Sequence, residues 1–169
     1  MPHRLNRHGG SSKRRRKLLS AKENVELPSR VLVDSDVFFS YLVNDELSTH
    51  SEKLIERANQ GGSKLACASE LYDDIITALR SDNVRMPVVI EMLRDLRKLS
   101  HEVLPTTVDV AEEAMRLYAQ HGGSRKLHYF DSFHVATAKQ YDLTLITSDG
   151  YMLRNAEKLG IKAVDLREI

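Results

Sequence analysis

The sequence predicts an α/β fold, a three-layer α/β/α sandwich with a central, mostly parallel sheet. Short apolar runs alternate with amphipathic helical stretches, and the runs are apolar throughout, as in strands that are buried on both faces. The 169 residues suit one domain, and 41% hydrophobic with 29% charged residues is typical of a soluble globular protein. A two-domain enzyme and a disordered or fibrous chain are therefore excluded.

In the first half of the domain, the sequence pattern predicts two strands and four helices. The apolar run 31–33 predicts a strand, and a helical stretch follows it through Tyr41. Apolar residues at near-helical spacing predict a helix over 47–59, which Gly61 and Gly62 end. The short apolar run 65–68 predicts the second strand. Apolar positions on one face predict a helix over 70–79, and Pro87 suits the first turn of a helix that runs to about residue 99.

The second half continues the same alternation. Val103 and Leu104 predict a third short strand, and helices are predicted over 108–120 and 130–141. The run 143–147 is the clearest strand in the chain. A short helix over 151–159 stops at Gly160, and 163–166 predicts a last strand. Strands separated by helices are typical of a parallel sheet.

The formal net charge of +1 hides a strong asymmetry. Residues 1–22 contain eight basic and no acidic residues, so the rest of the chain has 17 basic against 24 acidic residues, a balance of −7. Residues 1–29 lack helical or strand periodicity and predict a disordered basic arm, with residues 30–169 as the domain. Clustered Arg14, Arg15 and Arg16 favour binding to RNA phosphates, although a solvated extension has the same composition.

The sequence also indicates the compartment. The single Cys67 cannot form an internal disulfide, which is typical of a reducing environment. No run approaches the 18 or so apolar residues of a membrane span, and no apolar segment suited to a secretory signal follows the basic start. We therefore expect a soluble, cytoplasmic protein with no membrane partner.

Acidic residues follow the predicted strands. Asp34 ends the first strand, Asp149 comes just after the fourth, Asp131 begins a helix, and Glu70 and Asp74 share a helix face after the second strand. Ligands of a parallel sheet collect at the carboxyl ends of its strands. Carboxylates that converge there repel one another unless a cation neutralises them, and Mg²⁺ or Mn²⁺ prefers such oxygen ligands. This pattern predicts a metal site that activates water for phosphodiester hydrolysis.

Each acid taken alone has a structural interpretation. Asp131 suits the cap of its helix, Asp149 a turn beside Gly150, and Asp34 or Asp36 the cap of the first helix. Four acids at strand ends are harder to explain in this way, so the set favours a site.

Three segments together resemble the PIN domain, a small metal-dependent nuclease fold found in VapC-type toxins and in RNA-processing nucleases. They are Val-Leu-Val-Asp-Ser-Asp-Val at 31–37, Phe-Asp-Ser-Phe-His-Val-Ala-Thr-Ala at 130–138, and Leu-Ile-Thr-Ser-Asp at 145–149. Their order and spacing match the family over residues 30–169. The resemblance implies an endoribonuclease, with RNA as substrate, and leaves open a toxin with an antitoxin partner, an RNA-maturation enzyme, and a homodimer.

By this resemblance Asp34, Asp131 and Asp149 are metal ligands and three members of a catalytic acidic quartet. The family typically has a Glu about five residues before an apolar position that packs on the sheet, and counting back from Leu79 reaches Asp74. The fourth member is therefore Asp74, with Glu70 as the alternate and Asp73 third. An aspartate there is shorter than the usual glutamate.

Further residues are candidates around this quartet. Ser35, Thr147 and Ser148 are expected to orient carboxylates or phosphate, or to act as ordinary capping and turn hydroxyls. Arg125 and Lys126 precede Asp131 on a predicted loop and are candidates for RNA phosphate contacts. His134 lies three positions after Asp131, and a packed histidine is the simpler interpretation.

Two other functions fit part of the pattern. Asp34 and Asp36 after an apolar strand resemble the nucleophile motif of haloacid-dehalogenase-like phosphatases, but the downstream lysine and acidic pair of that family have no convincing counterpart. A PIN module that binds RNA or protein without catalysis is the second alternative, because Asp74 is shorter than the usual glutamate.

Overall fold

The computed structural model describes residues 25–169 and confirms the predicted α/β/α sandwich. The strands are β1 (Arg30–Val33), β2 (Lys64–Ala68), β3 (Glu102–Leu104), β4 (Thr144–Thr147) and β5 (Ala163–Asp165). They form one sheet in the order β3-β2-β1-β4-β5, and all four pairings are parallel. The carboxyl end of the central strand β1 therefore lies between those of β2 and β4.

Within residues 25–169, seven helices and a closing 3₁₀ turn connect and follow the strands. They are α1 (Ser35–Val43), α2 (Ser48–Asn59), α3 (Leu71–Ser81), α4 (Met86–Leu96), α5 (Val108–His121), α6 (Tyr129–Gln140), α7 (Gly150–Leu159) and the turn Leu166–Glu168. Between residues 25 and 169, none of the helices has both the length and the hydropathy that crossing a membrane requires.

Most predicted elements are present with small shifts at their ends. The largest difference is α4, which ends three residues before the predicted position. The amides of Lys98 and Leu99 bond to carbonyls three residues earlier, on Asp95 and Leu96. This tighter pattern turns the chain out of the α-helix and toward β3.

Alternate strand residues serve opposite layers of the sandwich. In β1, Val31 and Val33 pack in the core cluster under α1–α4, whereas Leu32 packs in the cluster under α5–α7. All three side chains are fully buried. Burial on both faces explains why the strand is apolar throughout rather than alternating with polar residues.

The predicted domain boundary at residue 30 differs from the packing. Leu27 is buried, the Val25 carbonyl accepts a hydrogen bond from Arg57, and the Pro28 carbonyl accepts one from Ser63. Residues 25–29, assigned to the arm from their composition, therefore pack on the domain. The remainder of the predicted arm, with Arg14, Arg15 and Arg16, lies outside the described residues.

Candidate metal centre

Asp34 lies at the centre of the site, directly after β1. Its Oδ1 accepts a hydrogen bond from the Ser35 amide at 2.7 Å, and its Oδ2 accepts one from the Thr147 hydroxyl at 2.6 Å. The side chain caps α1, as the structural interpretation of this residue expects. Only 3% of the residue is exposed, so this carboxylate is held by protein groups rather than by solvent.

Asp74 reaches the same place from the first turn of α3. Its Oδ2 accepts a hydrogen bond from the Ser35 hydroxyl at 2.5 Å. Carboxylate oxygens of Asp34 and Asp74 and a ring nitrogen of His134 all lie within 4.8 Å of one another. These three donors are close enough to share one ion.

Glu70, the alternate to Asp74, is directed elsewhere. It is the residue before α3, and its carboxylate accepts hydrogen bonds from the hydroxyls of Thr106 and Ser69. These contacts direct it to the connection between β3 and α5. The side chain of Asp73 is on the exposed face of α3. Of these three acids, Asp74 is therefore the one that shares its surroundings with Asp34.

Asp131 and Asp149 each begin a helix beside the cluster. Asp131 forms a capping box with His128, whose amide donates to its Oδ2 at 2.9 Å. Asp149 caps α7 through a 2.7 Å hydrogen bond from the Met152 amide to its Oδ1. Asp131 thus contributes to the cap of α6 from the third position of the helix, with His128 as the N-cap, whereas Asp149, expected as a turn residue, is the N-cap of α7. Each carboxylate retains acceptor capacity for a further ligand, because an ionised carboxylate has about four acceptor positions.

The electrostatics of the acids favour a bound cation. Burial raises the pKa of Asp34 well above its usual value, and the negative charges of Asp36 and Asp131 raise it further. Burial likewise raises the pKa of Asp131, and the charge of Asp149 adds to that effect. A divalent cation among these groups would stabilise the ionised forms that burial and mutual repulsion disfavour.

Asp36 belongs to this environment, although its place in the sequence suggested only a helix cap or part of a phosphatase motif. Its Oδ2 accepts a 2.5 Å hydrogen bond from the Ser148 amide, and its Oδ1 is buried without a hydrogen-bond partner within residues 25–169. Burial raises its pKa to about 6. The sequence signal that could have identified Asp36 as part of the site was its position two residues after Asp34, in the first turn of α1.

His134 is the second site residue that the sequence did not distinguish. Its side chain is 0% exposed, and its Nε2 lies 3.5 Å from Asp34 Oδ1 and 3.6 Å from Asp74 Oδ2. Burial lowers the pKa of this imidazole, but the carboxylates of Asp74, Asp34 and Asp131 together raise it to about 9. Its spacing of three residues from Asp131 put it on the same helix face, which was the only sequence signal.

Three hydroxyl-bearing residues form hydrogen bonds with the acids, namely Thr147, Ser35 and Ser148. Thr147 donates to Asp34 and accepts a hydrogen bond from the Asp149 amide at 3.0 Å, so it links two of the carboxyl-bearing residues. Ser35 holds Asp74, and Ser148 contacts Asp36 through its backbone amide. These contacts fix the orientation of the carboxylates before any ligand binds.

The loop between α5 and α6 leads to the site and carries basic and aromatic groups. Arg125 and Lys126 are exposed there, a few residues before Asp131. Tyr129 is 47% exposed at the first position of α6, and its ring contacts that of Tyr118 edge-to-face at 6.0 Å between centroids. Cationic and aromatic side chains are therefore exposed on the segment that leads into Asp131.

The donors present fit a divalent cation. Carboxylate oxygens suit Mg²⁺ and Mn²⁺, and an imidazole nitrogen suits transition metals. Buried polar atoms normally have a partner, yet Asp36 Oδ1 and both ring nitrogens of His134 have none within the described part of the chain. A ligand that enters the cluster would satisfy atoms that the protein leaves unpaired.

The family model of the PIN domain matches residues 31–158 of this chain. The chain belongs to the PIN domain family. The match runs from β1 into α7 and includes Asp34, Asp74, Asp131 and Asp149. The curated proteins contain no match to this PIN domain.

Solved structures share its fold. VapBC2 from Rickettsia felis, bound to a DNA fragment from its promoter, has a TM-score of 0.58 and 10% identity, covering 80% of this chain and 98% of that one. FitAcB from Neisseria gonorrhoeae has a TM-score of 0.56 and 15% identity, and VapBC-5 from Mycobacterium tuberculosis has 0.54 and 17%. Each of these two matches covers 82% of this chain and 99% of the matched chain. At such identities the similarity concerns the fold.

Proposed function

We propose that this PIN domain is a divalent-metal-dependent endoribonuclease that hydrolyses RNA phosphodiester bonds. The observation that carries the proposal is that Asp34 and Asp74 lie close enough to share an ion at the carboxyl end of β1, with Asp131 near enough for its charge to raise the pKa of Asp34 and Asp149 near enough to raise that of Asp131. These acids come from four different elements of the chain, whereas capping alone requires no such proximity. Burial and mutual repulsion raise the pKa values of Asp34 and Asp131, which favours a cation as the ligand.

The acids have distinct roles in this proposal. Asp34, Asp131 and Asp149 hold Mg²⁺ or Mn²⁺, and Asp74 completes the quartet directly or through a water. A bound divalent cation supplies an activated water at neutral pH and charge for the phosphate oxygens. Asp34 has the least freedom, because two hydrogen bonds and burial fix its carboxylate. Asp34 would therefore hold a bound cation in a fixed position relative to the other carboxylates.

The supporting hydroxyls keep the carboxylates in place during the reaction. Thr147 orients Asp34 and the backbone of Asp149, and Ser35 orients Asp74. Contacts of this kind reduce the reorganisation that metal and substrate binding would otherwise require. The positions of Ser35 and Thr147 next to β1 and at the end of β4 suit this role.

The surroundings of the site support RNA as the substrate. Arg125 and Lys126 offer charges for phosphates, and the exposed ring of Tyr129 offers a stacking surface for an unpaired base. The basic segment 1–22 adds eight positive charges to a body of net charge −7. We expect that removing residues 1–22 weakens RNA binding and flattens its salt dependence while cleavage persists.

The test is cleavage of a panel of structured RNAs with Mn²⁺, with Mg²⁺ and with chelator. We expect metal-dependent cleavage that Asp131→Asn abolishes, whereas the exposed control Asp109→Asn in α5 retains it. RNA binding without cleavage in Mn²⁺, unchanged by Asp131→Asn, would instead identify a non-catalytic binding module. A trapped phosphoryl group on Asp34 would identify a phosphatase of the haloacid-dehalogenase type.

We also propose a protein partner of the antitoxin class. Several similar structures are described as toxin–antitoxin complexes, including one from Klebsiella pneumoniae with a TM-score of 0.52 and 16% identity. A neighbouring short gene that encodes a DNA-binding protein would support a toxin role over RNA maturation. Co-expression followed by mass measurement would separate a heteromeric complex from a homodimer and from the free chain.

A further inference from the structure

We propose that the imidazole of His134 is a metal ligand together with Asp34 and Asp74, and that this nitrogen ligand makes the site prefer Mn²⁺ over Mg²⁺. The inference rests on the proposed function, because it names a ligand and an ion for the same site. It assigns a direct role to a histidine that sequence reasoning explains as core packing.

The distances suit a shared ion. Nε2 of His134 lies 3.5 Å from Asp34 Oδ1 and 3.6 Å from Asp74 Oδ2. Two ligand atoms about 2.1 Å from one ion lie about 3.0 Å apart in octahedral and about 3.4 Å apart in tetrahedral coordination. The two separations from Nε2 exceed these values by about 0.1–0.6 Å, and all three donor atoms lie within 4.8 Å of one another. Side-chain adjustment on binding would bring the three donors to coordination distance.

The ring is buried without any hydrogen-bond partner. His134 is 0% exposed, and neither Nδ1 nor Nε2 has a partner within residues 25–169. An unsatisfied buried polar group costs free energy, so such groups normally mark a bound water, an ion or a functional contact. Nε2 lies near two carboxylates that the proposed function places in a metal site, and coordination of a cation by the neutral imidazole, with release of the proton that the carboxylates favour, would satisfy it.

The surrounding structure holds all three donors in position. Residues 132–138 of α6 are all buried, which fixes the His134 ring from its own helix. The Ser35 hydroxyl holds Asp74 at 2.5 Å, and the Thr147 hydroxyl holds Asp34 at 2.6 Å. Coordination therefore requires ordering of few additional groups, which favours affinity.

The ligand chemistry predicts which ion is preferred. Mg²⁺ is a hard ion that takes oxygen ligands and retains several waters, whereas imidazole is a better ligand for first-row transition ions. One nitrogen among carboxylate oxygens therefore favours Mn²⁺ over Mg²⁺. A quartet of carboxylates alone discriminates less between the two ions, because carboxylates suit both.

The test is electron paramagnetic resonance of Mn²⁺ bound to the full-length protein, with binding of Mn²⁺ and Mg²⁺ measured by calorimetry. We expect hyperfine coupling between Mn²⁺ and a nitrogen nucleus, which changes when the histidines are labelled with the heavier nitrogen isotope. Mn²⁺ should bind more tightly than Mg²⁺. This readout uses the unmodified protein and needs no RNA.

Variants then assign the nitrogen. His134→Gln should lose the coupling and bind Mn²⁺ at least about tenfold more weakly, with little change for Mg²⁺. The control His121→Gln, whose ring contacts the Tyr151 hydroxyl at 3.2 Å, should retain both. If His134→Gln does not fold, the isotope effect in the unmodified protein still decides whether a histidine is coordinated.

Several results would overturn the inference. Bound Mn²⁺ without nitrogen coupling, or tighter binding of both ions by His134→Gln, would mean that His134 only pairs with the carboxylates. In that case the proposed nuclease function stands. Absence of any Mn²⁺ binding would overturn both the inference and the proposed function, so the two failures are distinguishable.

Discussion

Replacing Thr147 with valine is expected to lower the free energy of unfolding by about 2–3 kcal/mol. The hydroxyl donates a 2.6 Å hydrogen bond to the buried Asp34 carboxylate and accepts a 3.0 Å hydrogen bond from the Asp149 amide. A hydrogen bond to a charged group contributes about 1.5–3 kcal/mol, and one between neutral groups about 0.5–1.5 kcal/mol. Water replaces the second bond more easily than the first, because Asp149 is only half-buried.

Thr137→Val is the matched control. Thr137 is as buried as Thr147, but its hydroxyl has no hydrogen-bond partner within the described residues. Valine there removes an unsatisfied polar group, so stability should remain within about 0.5 kcal/mol or increase. Thr147→Ser, which keeps the hydroxyl and loses a methyl group, should cost only about 1 kcal/mol.

Urea unfolding followed by circular dichroism measures these differences. For a chain of this length, 2–3 kcal/mol corresponds to roughly 4–12 °C in Tm. If Thr147→Val and Thr137→Val change stability equally, the Thr147 hydroxyl does not hold Asp34. If Thr147→Ser is as unstable as Thr147→Val, the methyl group rather than the hydroxyl stabilises this position.

Three further outcomes are expected. Burial raises the pKa of the Cys67 thiol from 9.0 to about 12, so less of it is ionised to the reactive thiolate at pH 8. Alkylation of Cys67, followed by mass spectrometry, should therefore be about a thousandfold slower in the folded protein than in the urea-unfolded protein. Equal rates would mean that the thiol is accessible. Gly122→Ala should cost about 1–3 kcal/mol in chemical unfolding, because the added Cβ would lie 2.8 Å from the Tyr118 ring. An unchanged midpoint would contradict that packing. Replacing Arg125 and Lys126 with alanine should make RNA binding less dependent on salt. In filter-binding assays, the slope of log affinity against log salt concentration should fall in magnitude by about 1.4, and an unchanged slope would exclude both residues from phosphate contact.

The alternation of elements was predictable because the local pattern of this chain is consistent. Val31–Val33 is apolar because it is buried on both faces, and Gly160 ends α7 in a left-handed conformation with φ of 72°. The order of the strands was not predictable in the same way. It depends on which strands pair across long stretches of chain, such as β1 with β4, and no local signal reports such pairing.

The acids at the strand ends were predictable for a similar reason. Asp34 and Asp149 follow strands whose carboxyl ends meet at one edge of a parallel sheet. His134 and Asp36 were not distinguished, because their partners are distant in sequence. Asp36 accepts its hydrogen bond from an amide 112 residues away, and His134 lies close to carboxylates on two other elements.

The most direct test of the central claim is sequencing of the RNA ends that the unmodified protein and Asp34→Asn produce. Attack by water leaves linear phosphate ends, whereas attack by the ribose 2′-hydroxyl leaves cyclic phosphates. We predict linear ends that appear only with divalent metal and are absent with Asp34→Asn, even though that variant folds. Cyclic ends, or the same ends from Asp34→Asn, would contradict a metal-dependent hydrolysis centred on Asp34.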